Sequence, residues 1–358
     1  MKILTRYIIK EFIKILTLTL AGFISLYLII DIFEQIDNLI EHHASFKDGL
    51  IFFLYKIPFI FYQVSPVALL MATLIAIGIL GRHSEVIAAM ASGVSVLRLF
   101  LPFFVLAAII GIINFIFSES IIPYTNQQAT VIRQTMEGIN KKTIFAQDSI
   151  WFKDNADIYN ISYIEPQNGV LKGLTVYRLD NNFNIISRID AKLAHWSKGA
   201  WISPESNVSR FQDGRLFDIS IIRNAIMPLT EKPEDLKNIE RLADEMNFRE
   251  LRRYIKKLKQ EGYAAARYSV DLHSKISFPI VSIIMVILGI PFALRSGRHG
   301  GIAVGVGISV MIGFSYWVVF AINTSLGYSG IIPPLIAAWL TNFIFAGVGV
   351  LIFSYIRQ

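Results

Sequence analysis

The residues whose types and spacing best suit chemistry lie in a short polar interruption, GRHSEVIAAMASGVS, Gly81 to Ser95, between two long apolar runs. Arg82, His83 and Glu85 come first; Val86, Ile87, Ala89 and Met90 follow. Ser84 suits a helix N-cap and Gly93 a C′ position, so the spacing predicts one short helix. Glu85 falls in its first turn, where a carboxylate suits the helix dipole. One reading is a membrane-surface helix with a solvated acid. The other is a docking helix whose apolar face enters a groove on a second protein, where Glu85 meets a cation. Under that reading the coupling residues are Glu85, Arg82, Val86 and Met90.

Other chemistries lack their residues. A phosphate-binding P-loop needs Gly-Lys before Ser or Thr, and Gly-Lys occurs nowhere in the chain. There is no His-Glu-x-x-His, and His42-His43 is the only adjacent pair among six histidines. Two ligands without nearby partners make a poor metal site. Cysteine is absent, which removes disulfides and thiolate ligands. No nucleophile stands beside a base. The expectation is a protein that is not itself an enzyme and holds no cofactor, so any ATP and magnesium would be bound by a separate subunit.

The elements that must position Glu85 are membrane spans. The chain has 358 residues, 54% hydrophobic and only 17% charged. Six apolar runs approach or exceed the roughly 20 residues a helix needs to cross a bilayer. They are Ile15–Ile30, Ile57–Leu80, Val96–Phe117, Ile276–Leu294, Ile302–Ile322 and Ile331–Tyr355. The first lacks the cleavage site of a signal peptide. Lys2, Arg6, Lys10 and Lys14 flank the start, Arg82 and Arg98 the second loop, and Arg295 and Arg298 the fourth. The positive-inside rule then puts both termini and the Glu85 helix in the cytoplasm. The net charge of +7 reads as basic flanks rather than nucleic-acid binding.

The polar middle lands on the opposite side of the membrane, which is the periplasm if the cell is a Gram-negative bacterium. Alternating, β-branched stretches such as SIWFKDNADIYNISYIE and RLFDISIIRNAI, with turn signals at Asp180-Asn181-Asn182, Lys198-Gly199 and Asp213-Gly214, predict a sandwich, jelly roll or open barrel. An open sheet would offer edges to a partner strand. After it, Asn247 is placed to cap a basic helix ending before Gly262. The expected fold is thus a six-span helical membrane protein with an inserted periplasmic β domain. Its parts are 1–122 with the polar helix at 82–93, then 123–246, then 247–358.

Mid-span charges are missing, which weighs against an ion-coupled lipid flippase. Gly301-x-x-x-Gly305 suits close helix packing or a movable seam. A scaffold recruiting periplasmic β proteins remains a rival reading.

Several segments carry a family resemblance: RYIIKEF, SPVALLMATLIAIGILGRHSEVIAAMASGVS, RYSVDLHSKISFPI and IIPPLIAAWLTNFIF. Over essentially its whole length the chain resembles the LptF/LptG permeases of lipopolysaccharide export. IIDIFEQIDN and GIIPPLIAAWLTN are nearer the LptG branch than the LptF branch. The resemblance implies an inner-membrane ABC exporter subunit, paired with an LptF-like second permease on an LptB-like ATPase dimer. It implies lipopolysaccharide handed to LptC- and LptA-like bridge proteins, a jelly-roll-like β domain, and Glu85 as the coupling glutamate. The alternative within the family is the LptF-like subunit.

One departure stands out. Where family members carry lysines facing the substrate's phosphates, this chain has Asp31, Asp37, Asn38 and Phe59. Phosphates near a membrane surface need cations, because an unpaired, partly desolvated anion is costly. The substrate-binding candidates are therefore Lys56, Lys275 and Arg267, with Asp31 and Glu34 as members of a cation bridge. The basic helix Arg249 to Lys259 is a further candidate, against a plain solvated face.

Overall fold

The computed structural model describes residues 2–41, 45–136, 144–146, 149–154, 157–165, 169–180, 184–197, 199–212, 215–229, 232–233, 243–260, 265–296 and 302–356. The His42-His43 pair, the Asp213-Gly214 turn, Lys198, Gly262, Arg298 and Gly301 fall outside them. Residues Met1–Gly138 and Ala243–Gln358 form one compact unit, and Ile139–Leu242 form a second.

Among the described residues of the first unit, six helices are long and apolar enough to cross a membrane. They lie in α1 (Lys2–Glu41), α2 (Phe46–Arg82), α4 (Val96–Ile116) with its continuation, α7 (Ala266–Ser296), α8 (Ile302–Tyr328) and α9 (Pro334–Ile356). The short α3 (Glu85–Ala91) follows α2. These helices outrun the apolar runs because a helix keeps its hydrogen bonds after leaving the hydrocarbon and then accepts polar side chains. The third span passes through a π-helical turn, Phe117–Ile121, straight into α5 (Ile122–Met136). Pro123 has no N–H to give this continuous helix, and the π-helical turn just before it, where Ile122 N–H donates to the Phe117 carbonyl, is where the ladder shifts to take the proline. Residues 123–136 are therefore a helical extension of the membrane unit rather than the start of the β domain. On the return side, a 3-10 turn at Ala243–Glu245 leads into α6 (Phe248–Gln260), also part of the membrane unit.

Two spans form the centre: 72% of the apolar window of α7 and 61% of that of α2 is buried, against 17% for both α1 and α8. With no hydrophobic force between helices in lipid, close approach and polar contacts set this packing. A Cβ on Gly111 of α4 would stand 2.8 Å from the backbone oxygen of Pro279 in α7. Tyr316 of α8 donates to Asn342 Oδ1 of α9 (2.8 Å), and Asn342 Nδ2 donates to the Ser277 carbonyl of α7 (2.7 Å). Asn114 of α4 donates to Ser65 Oγ of α2 at 2.8 Å. Gly111→Val should therefore push two backbones apart, an overpacking cost of about 1–3 kcal/mol. Thermal unfolding of the purified chain in detergent should show a clear drop. Gly22→Val, where a Cβ meets nothing within 4 Å, serves as the control; equal midpoints would refute the close-packed seam.

The second unit is a seven-stranded antiparallel sheet in chain order: β1 (Ile144–Ala146), β2 (Ser149–Asp154), β3 (Asp157–Glu165), β4 (Val170–Leu179), β5 (Ile185–Ser197), β6 (Ala200–Gln212) and β7 (Arg215–Ile226). The single alternating stretch read around Trp151 is a hairpin, β2 and β3, with Asp154 opposite Asp157. The expected sandwich, jelly roll or open barrel resolves to a meander. Each described strand pairs with the one before and after it in the chain, so the strand order shows none of the crossovers of a strict jelly roll. One face buries Tyr159, Ile161, Leu174, Val176 and Ala191, with Trp201 and Leu171 in the same cluster. Pro204 in β6 lies where the β5 ladder lapses between Ile202 and Ser206, as expected of a residue without an N–H.

Candidate functional site

Three places in the membrane unit concentrate the groups a permease would use: the α3 end, the lateral surface of the spans, and the end where α5 and α6 leave the spans.

At the first, the chain turns sharply. Ser84 adopts φ 57°, closing α2 in the left-handed region rather than simply capping α3. Its N–H donates to the Gly81 carbonyl (3.0 Å), and its own carbonyl accepts from Ala88 N–H (2.9 Å). Gly93 (φ 81°) ends α3 with Val94 N–H donating to the Ala89 carbonyl at 3.2 Å, the wrap of a Schellman motif. The apolar residues of α3 divide. Val86 is buried in the core of the spans, with Ala89 against it, so Val86 anchors the helix from within. Ile87 is 52% exposed, and Arg82 is exposed too. The side chain of Met90 lies outside the described residues. Glu85 accepts a hydrogen bond from Tyr7 of α1 (3.3 Å) and has no ion pair among the described residues. The chain thus presents a partly exposed acid beside an exposed isoleucine on a helix pinned from behind.

On the lateral surface, α1, α2 and α8 enclose an open recess of about 420 Å³. Phe23, Tyr27, Val64, Val67, Val310 and Trp317 line it, with Gln63 among its few polar groups. Gly313 keeps α8 against α2 here, since a Cβ would meet Val67 Cγ1 at 3.0 Å. The recess is bordered by the two least buried spans. Nothing in the sequence alone singled it out, because its lining comes from three distant segments.

At the third place, most of the charges read as phosphate candidates have internal partners. Lys56 of α2 donates to both oxygens of Asp31 of α1 at 2.6 Å, and Gln35 Nε2 donates to Asp31 Oδ1 at 3.0 Å. Asp31 is buried, so this pair staples two spans. Glu34 is exposed nearby, while the side chains of Asp37 and Asn38 are outside the described residues. Lys275 is buried and donates to the Ser118 carbonyl at 3.1 Å, in the field of Asp244, Glu119, Asp271 and Glu250. Arg267 lies over the Tyr328 ring at 5.9 Å, and Tyr328 donates to Asp271 at 2.6 Å. Charge reversal at Lys56 or Lys275 would thus break internal structure, and a resulting loss of function would report on packing as much as on substrate.

The start of α6 is tied to this end by a capping box. Glu250 N–H donates to Asn247 Oδ1 (2.9 Å), and Asn247 N–H donates back to Glu250 Oε2 (3.3 Å). Phe248 N–H donates to Glu119 on the π-helical turn at 3.1 Å. Glu245, almost fully buried, accepts from Thr130 Oγ1 (2.7 Å). The predicted Asn247 cap is present; Glu119 was the residue whose structural role the sequence concealed.

Comparison with known proteins agrees along the whole chain. The profile of the lipopolysaccharide export system permease family LptF/LptG matches residues 6–355. The LptG permease protein of Escherichia coli K12 is 26% identical over 351 residues, 95% of this chain and 94% of that protein. That of Haemophilus influenzae is 24% identical over 354 residues, 96% and 95% of the two. The match spans all six membrane helices, the Glu85 turn and the β insertion, and the chain belongs to the lipopolysaccharide export system permease family LptF/LptG.

Proposed function

We propose that this chain is the LptG-like permease subunit of an ABC exporter that takes lipopolysaccharide from the inner membrane toward a periplasmic bridge. The observation that carries the reading is the apolar recess between α1, α2 and α8. An amphiphile with several acyl chains needs a lateral, greasy opening between helices rather than a narrow polar pore. A second, LptF-like subunit would complete the cavity against the two poorly buried spans. Energy comes from a separate ATPase, which supplies the nucleotide site and magnesium and engages the Glu85 helix. The basic flanks support cytoplasmic termini and a periplasmic β domain.

The test is retention of lipopolysaccharide by the purified complex. Val310 lines the recess and is half exposed, so Val310→Trp should fill the space without disturbing the core. Losing about 1.4 kcal/mol of apolar contact lowers retention about tenfold. The expected result is that loss with an unchanged unfolding midpoint. Normal retention and export by the variant would remove the recess from the transport path. A wild-type complex that binds no lipopolysaccharide would overturn the cargo assignment.

A further inference from the structure

A cavity beside the basic face of α6 is separate from the recess between α1, α2 and α8. It is about 1220 Å³ and lies between α6, the start of α7 and the junction leading into α9. Arg249, Arg252, Arg253, Lys256 and Lys259 line it. The first four are spaced i, i+3, i+4 and i+7, so they form one stripe on the helix. Leu251, Tyr254 and Leu258 occupy the opposite face and are buried, while Ile255, also buried, lines the cavity floor between the two faces. Among the described residues none of the five cations has an ion pair. The one acid on α6, Glu250, is engaged by Asn247 in the capping box. Stacked like charges on a helix face repel one another, and an anion in the cavity relieves that repulsion.

The far wall of the cavity is different in kind. Pro333, Pro334 and Leu335 form it, at the point where α9 starts into the membrane. Beyond Leu335, which is 56% exposed, Ile336, Leu340 and Phe343 of α9 are also exposed and apolar. A cationic mouth thus adjoins an apolar surface running along a span. Charge complementarity calls for an anionic head, and the adjoining span calls for acyl chains. Three of the five cations are arginines, whose planar forks bind phosphate oxygens bidentately.

We propose that this cavity is a headgroup site for an anionic phospholipid of the surrounding membrane. The lipid's phosphate sits among Arg249, Arg252 and Arg253, with an acyl chain along α9. The site involves none of α1, α2 or α8 and is separate from the cargo recess. It stands whether or not the transport reading above holds. Its occupancy would brace α6 against α7 and α9 where the chain leaves the membrane.

The probes are phosphatidylglycerol and phosphatidylcholine of matched chain length, offered to the full-length chain in detergent and counted by native mass spectrometry. Wild type should retain phosphatidylglycerol about tenfold more tightly than phosphatidylcholine, from clustered cations at a lipid surface. The triple variant Arg249→Gln, Arg252→Gln, Arg253→Gln should lose that preference. Because these side chains are exposed and unpaired, its unfolding midpoint without added lipid should match wild type. The charge-keeping variant with lysine at the same three positions should recover most of the preference. Equal retention of both lipids by wild type, or an unchanged preference in the triple variant, would overturn the proposal. Two competition arms separate the sources of phosphate. Displacement of phosphatidylglycerol by equimolar lipopolysaccharide would assign the cavity to cargo, and displacement by inorganic phosphate alone would reduce it to a plain anion site. Either would overturn the phospholipid assignment.

Discussion

Glu85→Lys should leave the exporter assembled or nearly so, yet cut lipid-stimulated ATP hydrolysis and export by about a hundredfold. The reasoning starts from the helix. Val86 and Ala89 pin α3 to the span core, so motion of α3 is motion of the spans. Glu85 and Ile87, with Arg82 just before them, are then open to meet a partner. If Glu85 pairs with a cation in a desolvated groove on the ATPase, breaking that pair costs about 3–5 kcal/mol, which is roughly two to four powers of ten in a coupling equilibrium. Lysine adds repulsion to that loss. Glu85→Gln should sit in between, because the amide keeps the helix and the Tyr7 contact but loses the charge.

Tyr7→Phe is the informative control. The 3.3 Å contact between Tyr7 and Glu85 lies within the chain, at an exposed site. If Glu85 served only to tether α1 to α3, Glu85→Gln would be near wild type and Tyr7→Phe would reproduce the loss seen with Glu85→Lys. If Glu85 acts on the ATPase, Tyr7→Phe should leave hydrolysis and export close to wild type. ATP hydrolysis by the reconstituted complex, with and without lipopolysaccharide, reads both outcomes. Normal coupling in Glu85→Lys would end the proposal that this residue transmits the ATPase stroke.

Much of the architecture was legible because bilayer physics leaves few options. A run of about 20 apolar residues has to be a helix, and alternation between turn signals has to be strand. Span ends were not legible, since a helix such as α4 to α5 runs on through Glu119 after its side chains turn polar. The partners of charged residues were hidden for a different reason. Lys56 and Asp31 are 25 positions apart and meet only because α1 and α2 pack side by side. Lys275 reads as a surface cation at the start of a span, but the third span's π-helical turn covers it. Local pattern does show that α6 is basic on one side. It does not show that α7 and α9 wall that side into a cavity. The same limit applies to the β unit: the strands were readable, but the identity of the exposed edge required their order.

That edge carries the second large expected effect. Among the described residues β7 pairs with β6 alone, and Phe217, Ile219, Ile221 and Ile226 are 62–74% exposed. Ile219 and Ile221 lie opposite Ser209 and Asn207, on the face away from the sheet's core, where polar residues would suit water. An apolar edge strand with an unused ladder invites pairing, and proteins that do not use such an edge blunt it with charge or proline. If the exporter hands lipid to periplasmic β proteins, as proposed, β7 is the strand on which a partner's sheet would continue. Each isoleucine buried there contributes about 1.5–3 kcal/mol, so the double variant Ile219→Asp, Ile221→Asp should weaken bridging about a hundredfold or more. Export should fall with it, while ATP hydrolysis by the detergent-purified complex stays intact. A photo-crosslinking residue at Phe217 should capture a periplasmic β protein in cells. Capture of the second permease subunit instead, or normal bridging by the double variant, would show that the strand serves some purpose other than the bridge.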